Sequence, residues 1–134
     1  MREILFKAKR KDWKKLPKEE WWIEGYYRRI PCMGLHEHYI MPQNPKNRVE
    51  QYEIDPDTLC QYTRLTDKNG KKIWENDIVE LPDENVYFKC EWEKDTARFV
   101  LNGDRFTVDF DDYREYEVEV IGNIFDNADL LEVE

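Results

Sequence analysis

The most informative absences in this sequence of 134 residues concern membranes and cysteine chemistry. No apolar run approaches the roughly 20 residues that a membrane helix needs, and the first residues alternate like a strand where a signal peptide would be hydrophobic. The three cysteines, Cys32, Cys60 and Cys90, are odd in number and form no Cys-x-x-Cys pair, which argues against a disulfide framework or a zinc ribbon. We therefore predict a cytoplasmic protein with free thiols and no membrane partner.

Motifs of catalytic and cofactor sites are also missing. The sequence contains neither a glycine-rich phosphate loop nor a serine nucleophile elbow, so we predict no enzyme activity and no cofactor. Cys32, His36 and His38 are weak candidates for a transition-metal site, because alternate residues of a strand share one face. Partly exposed strand histidines are the simpler interpretation, and we predict that no metal is bound there.

A second weak candidate for metal binding is the acidic segment VDFDDY near the C-terminus. Asp109 and Asp111 project to the same strand face, with Asp112 beside them, and carboxylates are ligands for hard divalent cations. The segment lacks the glycine turn of a calcium-binding loop. We therefore interpret it as a solvated acidic strand edge.

Charge is distributed unevenly along the chain, which has a net charge of −9. Residues 1–30 carry ten basic and five acidic groups (+5), residues 31–74 carry six of each, and residues 75–134 carry five basic and nineteen acidic groups (−14). An acidic half repels nucleic acid, so we expect protein partners or self-association through the oppositely charged ends. Two alternatives stay open: phosphate contacts by the basic N-terminal third, and imitation of a phosphate backbone by the acidic half.

Aromatic residues next to basic ones could stack on the bases of a single strand. The group comprises Trp13, Trp21, Trp22, Tyr26 and Tyr27, beside Arg28, Arg29 and the N-terminal lysines. Strand alternation assigns at least half of these rings to a core, which disfavours nucleic acid as a partner.

Alternating apolar residues predict strands along the whole chain, with almost no helix. The segment WWIEGYYRRI reads as a long strand with a bend or bulge at Gly25, broken by residues 31–34. Further strands are expected at residues 4–8, 37–41, 49–54, 86–92, 97–101, 105–110 and 116–120, with a turn at residues 55–58 and one helical turn after Asp126. Cys90 falls on the apolar face of its strand and is expected in the core.

Residues 61–81, QYTRLTDKNGKKIWENDIVEL, form the clearest structural motif in the sequence. Asn69 and Gly70 predict a tight hairpin turn in which both residues adopt positive φ. The apolar strand that follows is interrupted at residues 75–77 by turn-forming residues, a pattern similar to the entry strand of SH3-like barrels. A second Asn-Gly pair at residues 102–103 predicts another hairpin.

The same segment resembles the signature of the YopX family of small phage and prophage proteins, QYTGLKDKNGKEIYEGDIV. The opening REI with FKA, the segments WIEGYY and IDPDT, and the closing EVIGNIF resemble further motifs of that family in order and spacing. Two residues depart from the pattern, since Arg64 and Asn76 stand where glycine is usual. Asn tolerates left-handed backbone, whereas Arg64 is a bulky cation at a position that the family keeps small.

Together these features predict one all-β domain over residues 1–134, an SH3-like small barrel over residues 55–134 with a strand meander over residues 1–54. The resemblance implies a bacterial host cell and no particular reaction. We predict a non-enzymatic accessory protein that binds a protein partner or forms a homo-oligomer. The residues expected to carry the family's structural signature are Gln61, Tyr62, Thr63, Asn69, Gly70, Asp77, Ile78, Val79, Gly122 and Asn123.

Overall fold

The computed structural model describes residues 4–47, 49–81, 87–103, 107–109 and 118–131, and within them the fold is all-β. Its strands are β1 (Phe6–Lys9), β2 (Trp22–Cys32), β3 (Leu35–Pro42), β4 (Tyr52–Glu53), β5 (Cys60–Thr66), β6 (Lys72–Trp74), β7 (Asp77–Glu80), β8 (Tyr87–Glu93), β9 (Arg98–Asn102), β10 (Thr107–Asp109) and β11 (Glu119–Asn123). The helical segments described are single 3₁₀ turns at Trp13–Lys15, Lys18–Glu20, Pro56–Thr58 and Ala128–Leu131. The prediction of strands with almost no helix is thus confirmed.

The chain divides into two compact units, Met1–Gln61 and Tyr62–Glu134. In the first unit the strands lie in the order β4-β3-β2-β1-β5, and every pair is antiparallel. One face of this sheet carries a core of Ala8, Ile40 and Ile54, against which Ile23 and Tyr27 pack. The predicted hairpin between residues 37–41 and 49–54 is confirmed by the pairing of β3 with β4.

Gly25 was predicted to mark a bend or bulge in β2, and that interpretation is wrong. It sits in regular register between Phe6 of β1 and Pro42 of β3. A Cβ atom at Gly25 would lie 2.0 Å from the backbone oxygen of Met41. The glycine is therefore required because the neighbouring strand approaches closely.

In the second unit, the later part of β5 pairs with β6, and a five-stranded antiparallel sheet follows in the order β10-β9-β8-β7-β11. Its core joins residues from β6 to β11, and Ile73, Val79, Phe88, Cys90 and Leu101 are fully buried there. The core position predicted for Cys90 is confirmed. The pairing of β9 with β10 confirms the second hairpin, although part of its turn lies outside the described residues.

The closed SH3-like barrel is not confirmed. Among the described residues no pairing joins the end strands β10 and β11, so the five-stranded sheet stays open. Barrel closure requires strand tilt and stagger that are consistent around the whole ring.

Candidate functional site

The first signature residues build an irregular hairpin from β5 and β6. Gln61 pairs with Phe6 of β1, and Tyr62 pairs with Trp74. The register then shifts before Thr66, at Arg64, whose φ is 72°. Glycine adopts this left-handed backbone at low cost, which explains why the family pattern has glycine at this position. The Thr63 hydroxyl donates to the Ile73 carbonyl at 2.7 Å and closes the irregular stretch.

Asp67, which the sequence analysis did not single out, organises the turn that contains Asn69 and Gly70. One oxygen of its carboxylate accepts hydrogen bonds from the backbone N–H groups of Asn69 and Lys71, and the other accepts from that of Val120, all at 2.9 Å. Burial alone raises the pKa of Asp67, but the three backbone donors, led by Val120, lower it below its usual value. The carboxylate therefore stays ionised although its side chain is 4% exposed.

The predicted hairpin at Asn69 and Gly70 is confirmed, but the prediction that these two residues alone form its turn, both with positive φ, is wrong. Gly70 has a φ of 77°, whereas Asn69 is not among the residues with positive φ. The turn spans Asp67 to Lys71, since the Asp67 N–H donates to the Lys71 carbonyl and the Gly70 N–H to the Asp67 carbonyl. The carboxylate of Asp67 stabilises this wider turn. The Asn69-Gly70 dipeptide alone therefore predicted the wrong turn length.

The next signature residues form the bend between β6 and β7. Asp77 is buried, and its carboxylate accepts a hydrogen bond from the Trp74 N–H at 2.8 Å. Asn76 has the left-handed φ of 73° that its resemblance to a glycine position predicted, and its N–H donates to the Cys90 carbonyl at 2.7 Å. Ile78 and Val79 are fully buried.

The closing motif forms a bulge and a side-chain cap. The β7–β11 register shifts between Val120 and Gly122, so the pairing of β11 is irregular at this glycine. The Asn123 side-chain oxygen accepts from the N–H groups of Phe125 and Asp126 at 2.9 Å, and the Asn127 side chain accepts from the Asn123 N–H. Among the signature residues, Thr63, Asp77 and Asn123 thus hold backbone groups in bends and bulges.

The candidate metal ligands do not converge. Strand pairing places Cys32 on one face of the β2–β3 hairpin and His36 and His38 on the other. His38 is hydrogen-bonded through Nδ1 to the Tyr27 hydroxyl at 2.6 Å. Asp111 and Asp112 lie outside the described residues, as does the side chain of Asp109 in β10. No group of three potential ligands is gathered anywhere in the part of the chain that is described.

Cys32 belongs instead to a hydrogen-bonded group with Glu37 and Tyr39. The Tyr39 hydroxyl donates to the Glu37 carboxylate, which lowers the pKa of Glu37 and raises that of Tyr39 to about 12. The hydrogen bond to Glu37, followed by the nearby negative charge, raises the pKa of the Cys32 thiol. A thiol that holds its proton is a poor nucleophile.

The aromatic residues of the N-terminal segment surround one of the chain's own lysines. Lys9 is 4% exposed, and its Nζ lies 4.1, 4.7 and 5.7 Å from the ring centroids of Trp13, Trp21 and Trp22. These distances fall within the range of cation–π attraction. The three tryptophans therefore pack around an internal cation, and Tyr27 packs on the core, which leaves Tyr26 as the exposed member of the group.

The outer part of the β2–β3 hairpin, residues 28–37, is largely exposed, and we call it the arm. The β1 pairing of β2 ends at Gly25, and β4 pairs with β3 only at Tyr39 and Ile40. Among the described residues, the two strands of the arm therefore pair only with each other. Their turn consists of Met33 and Gly34, with φ values of 50° and 82°. The predicted break at residues 31–34 is thus a turn, since β2 continues through Cys32.

Apolar and basic side chains share the surface of the arm. Met33 is 98% exposed and Leu35 is 74% exposed. Arg28 and Arg29 are exposed and make no ion pair among the described residues. Exposed apolar side chains beside unpaired arginines are typical of binding surfaces. Sequence reasoning missed this surface because a methionine at positive φ is a weak turn signal.

Comparison with known proteins gives a family and a fold. Residues 13–132 match the family model described as YopX protein. The crystal structure of protein EF1440 from Enterococcus faecalis is similar, with a TM-score of 0.52 and 20% sequence identity, over 98% of this chain and 100% of that chain. No curated protein matches the chain. None of the helices in the described ranges is long and apolar enough to cross a membrane.

Proposed function

We propose that this protein, which belongs to the YopX protein family, is a non-enzymatic binding module that recognises a protein partner through its arm. A phage or prophage setting in the bacterial cytoplasm is part of the same proposal. The partner is another protein or a second copy of the chain. The observation that carries the proposal is the arm itself.

A two-stranded ribbon is at best marginally stable in water when nothing covers it. In this protein the ribbon extends beyond its neighbouring strands and ends in Met33 and Leu35, which are largely exposed. Exposed apolar side chains at the end of such a ribbon have a solvation cost that a partner surface would remove. Contact with a partner would therefore explain why these two side chains are exposed in the isolated chain.

The reactive groups of the chain support a binding role over a catalytic one. Asp67 and Asp77 accept backbone hydrogen bonds, and Cys60 and Cys90 are buried. The hydrogen bond to Glu37 raises the pKa of the remaining thiol, Cys32. Each of these groups has a structural partner that accounts for its position.

Site-specific photo-crosslinking tests the proposal. A benzophenone amino acid placed at Met33 is expected to give one dominant crosslinked species in cells that express the protein. The same probe at Val49, which is 81% exposed in a loop of the first unit, serves as the matched control. Equal crosslinking at both positions, or none at Met33, would contradict recognition through the arm.

Imitation of a phosphate backbone is the second candidate, favoured by the charge of residues 62–134. They carry nine basic and twenty acidic groups, a net charge of −11. Under this alternative the acidic unit captures a DNA-binding protein and arm variants leave that capture unchanged. Competition with double-stranded DNA for the captured protein distinguishes the two candidates.

A further inference from the structure

The arm has a definite chemical character that limits what it can contact. It presents two arginines without ion pairs among the described residues, together with the exposed apolar side chains of Met33 and Leu35. Its own carboxylate, Glu37, accepts a hydrogen bond from Tyr39. A complementary surface would offer carboxylates next to an exposed ring or apolar side chain.

The second unit of the same chain contains such a surface on its five-stranded sheet. Glu119, Glu80 and Tyr87 lie directly opposite one another on β11, β7 and β8, so their side chains form one row on one sheet face. Carboxylates directly opposite one another repel. Lys68 compensates Glu119 with an ion pair of 3.0 Å, whereas Glu80 is exposed and has no ion pair among the described residues.

Tyr87 completes the complementary character of this row. It is 38% exposed and stands opposite Glu80. An arginine placed between a carboxylate and a phenol ring gains both a charge-assisted hydrogen bond and cation–π attraction. The row is thus acidic and aromatic, while the arm is basic and apolar.

We infer that the arm of one copy docks on the Glu80–Tyr87 row of a second copy, so that the protein self-associates. This inference rests on the proposed function and names the partner. Arg28, which shares one face of the arm with Leu35 while Arg29 lies on the other, supplies the counter-charge for Glu80, and Leu35 lies beside the exposed ring of Tyr87. Pro31 lacks a backbone donor and two arginines stand on the same strand, which disfavours edge-to-edge pairing of two arms.

Sedimentation velocity of the full chain between about 1 and 100 μM tests the inference. At about 0.05 M salt the sedimentation coefficient is expected to rise with concentration. At about 1 M salt, where the screening length is roughly 3 Å, it is expected to fall towards the monomer value. Arg28→Glu should raise the dissociation constant at least tenfold. Arg29→Glu makes the same change in net charge on the opposite face of the arm and should raise it less than threefold.

Exchanging the two charges tests whether these particular residues form the contact. Glu80→Arg is expected to weaken self-association, and mixing it with the Arg28→Glu variant should restore a complex between the two chains. Met33→Asn with Leu35→Ser removes the apolar tip, while asparagine accepts the left-handed backbone of the turn. This variant should also weaken association, with its circular dichroism spectrum unchanged.

The outcomes separate failure of this inference from failure of the proposed function. A monomer at all concentrations whose Met33 probe crosslinks to a different protein would overturn self-association and leave the binding role intact. A monomer that binds single-stranded DNA through Arg28 and Arg29 would overturn both. An oligomer that is insensitive to all arm variants would show that another surface makes the contact.

Discussion

Replacing Asp67 with asparagine is expected to destabilise the folded state by about 2 to 4 kcal/mol at neutral pH. An asparagine can keep one oxygen towards the N–H groups of Asn69 and Lys71, but its amide group then faces the Val120 N–H, and two donors meet. A buried donor left without an acceptor costs about 1 to 3 kcal/mol. The two remaining bonds lose the strength that charge gives them, roughly half of each.

The pH dependence of this effect follows from the lowered pKa of Asp67. Because the folded-state pKa lies below the unfolded value of about 3.9, the ionised carboxylate stabilises the fold fully above that value. Its contribution is lost as the pH falls through the folded-state pKa. The stability difference between the native chain and the Asp67→Asn variant should therefore be constant from pH 5 to 8 and shrink below about pH 4.

Urea unfolding followed by tryptophan fluorescence at pH 7, 5 and 3.5 measures this difference. Asp95→Asn, an exposed position in the same unit, removes the same charge and should change stability by less than about 0.5 kcal/mol. An equally small change for Asp67→Asn at pH 7 would refute the reasoning, as would a difference that persists unchanged at pH 3.5.

Three further substitutions test backbone requirements, each by its urea midpoint. Gly122→Val should cost about 1 to 3 kcal/mol, because a Cβ would lie 2.5 Å from the Asn127 side-chain oxygen; an unchanged midpoint would contradict this. Gly25→Ala should cost at least about 3 kcal/mol, since the obstacle is the backbone of Met41 rather than a movable side chain; a smaller loss than for Gly122→Ala would reject the argument. Arg64→Gly should stabilise by about 1 kcal/mol by removing left-handed strain, and a loss of stability would show that the arginine has a compensating contact.

Local patterns in the sequence were enough to predict the strands, both Asn-Gly hairpins and the family. Period-two alternation reports which residues face a core whatever the neighbouring strand is, so the core position of Cys90 followed directly. The left-handed backbone at Asn76 was also predictable, because it depends on residue type.

Tertiary structure alone decided the features that depend on residues distant in sequence. Asp67 is 53 residues from Val120, and no local pattern indicates that its carboxylate accepts that N–H. Gly25 is required by the backbone of Met41 on the adjacent strand, and Lys9 lies among three tryptophans that strand alternation alone did not place together. The arm follows from where the flanking strands end. Sequence periodicity predicts which way a side chain points, whereas pairing length and sheet closure are set by which strands become neighbours.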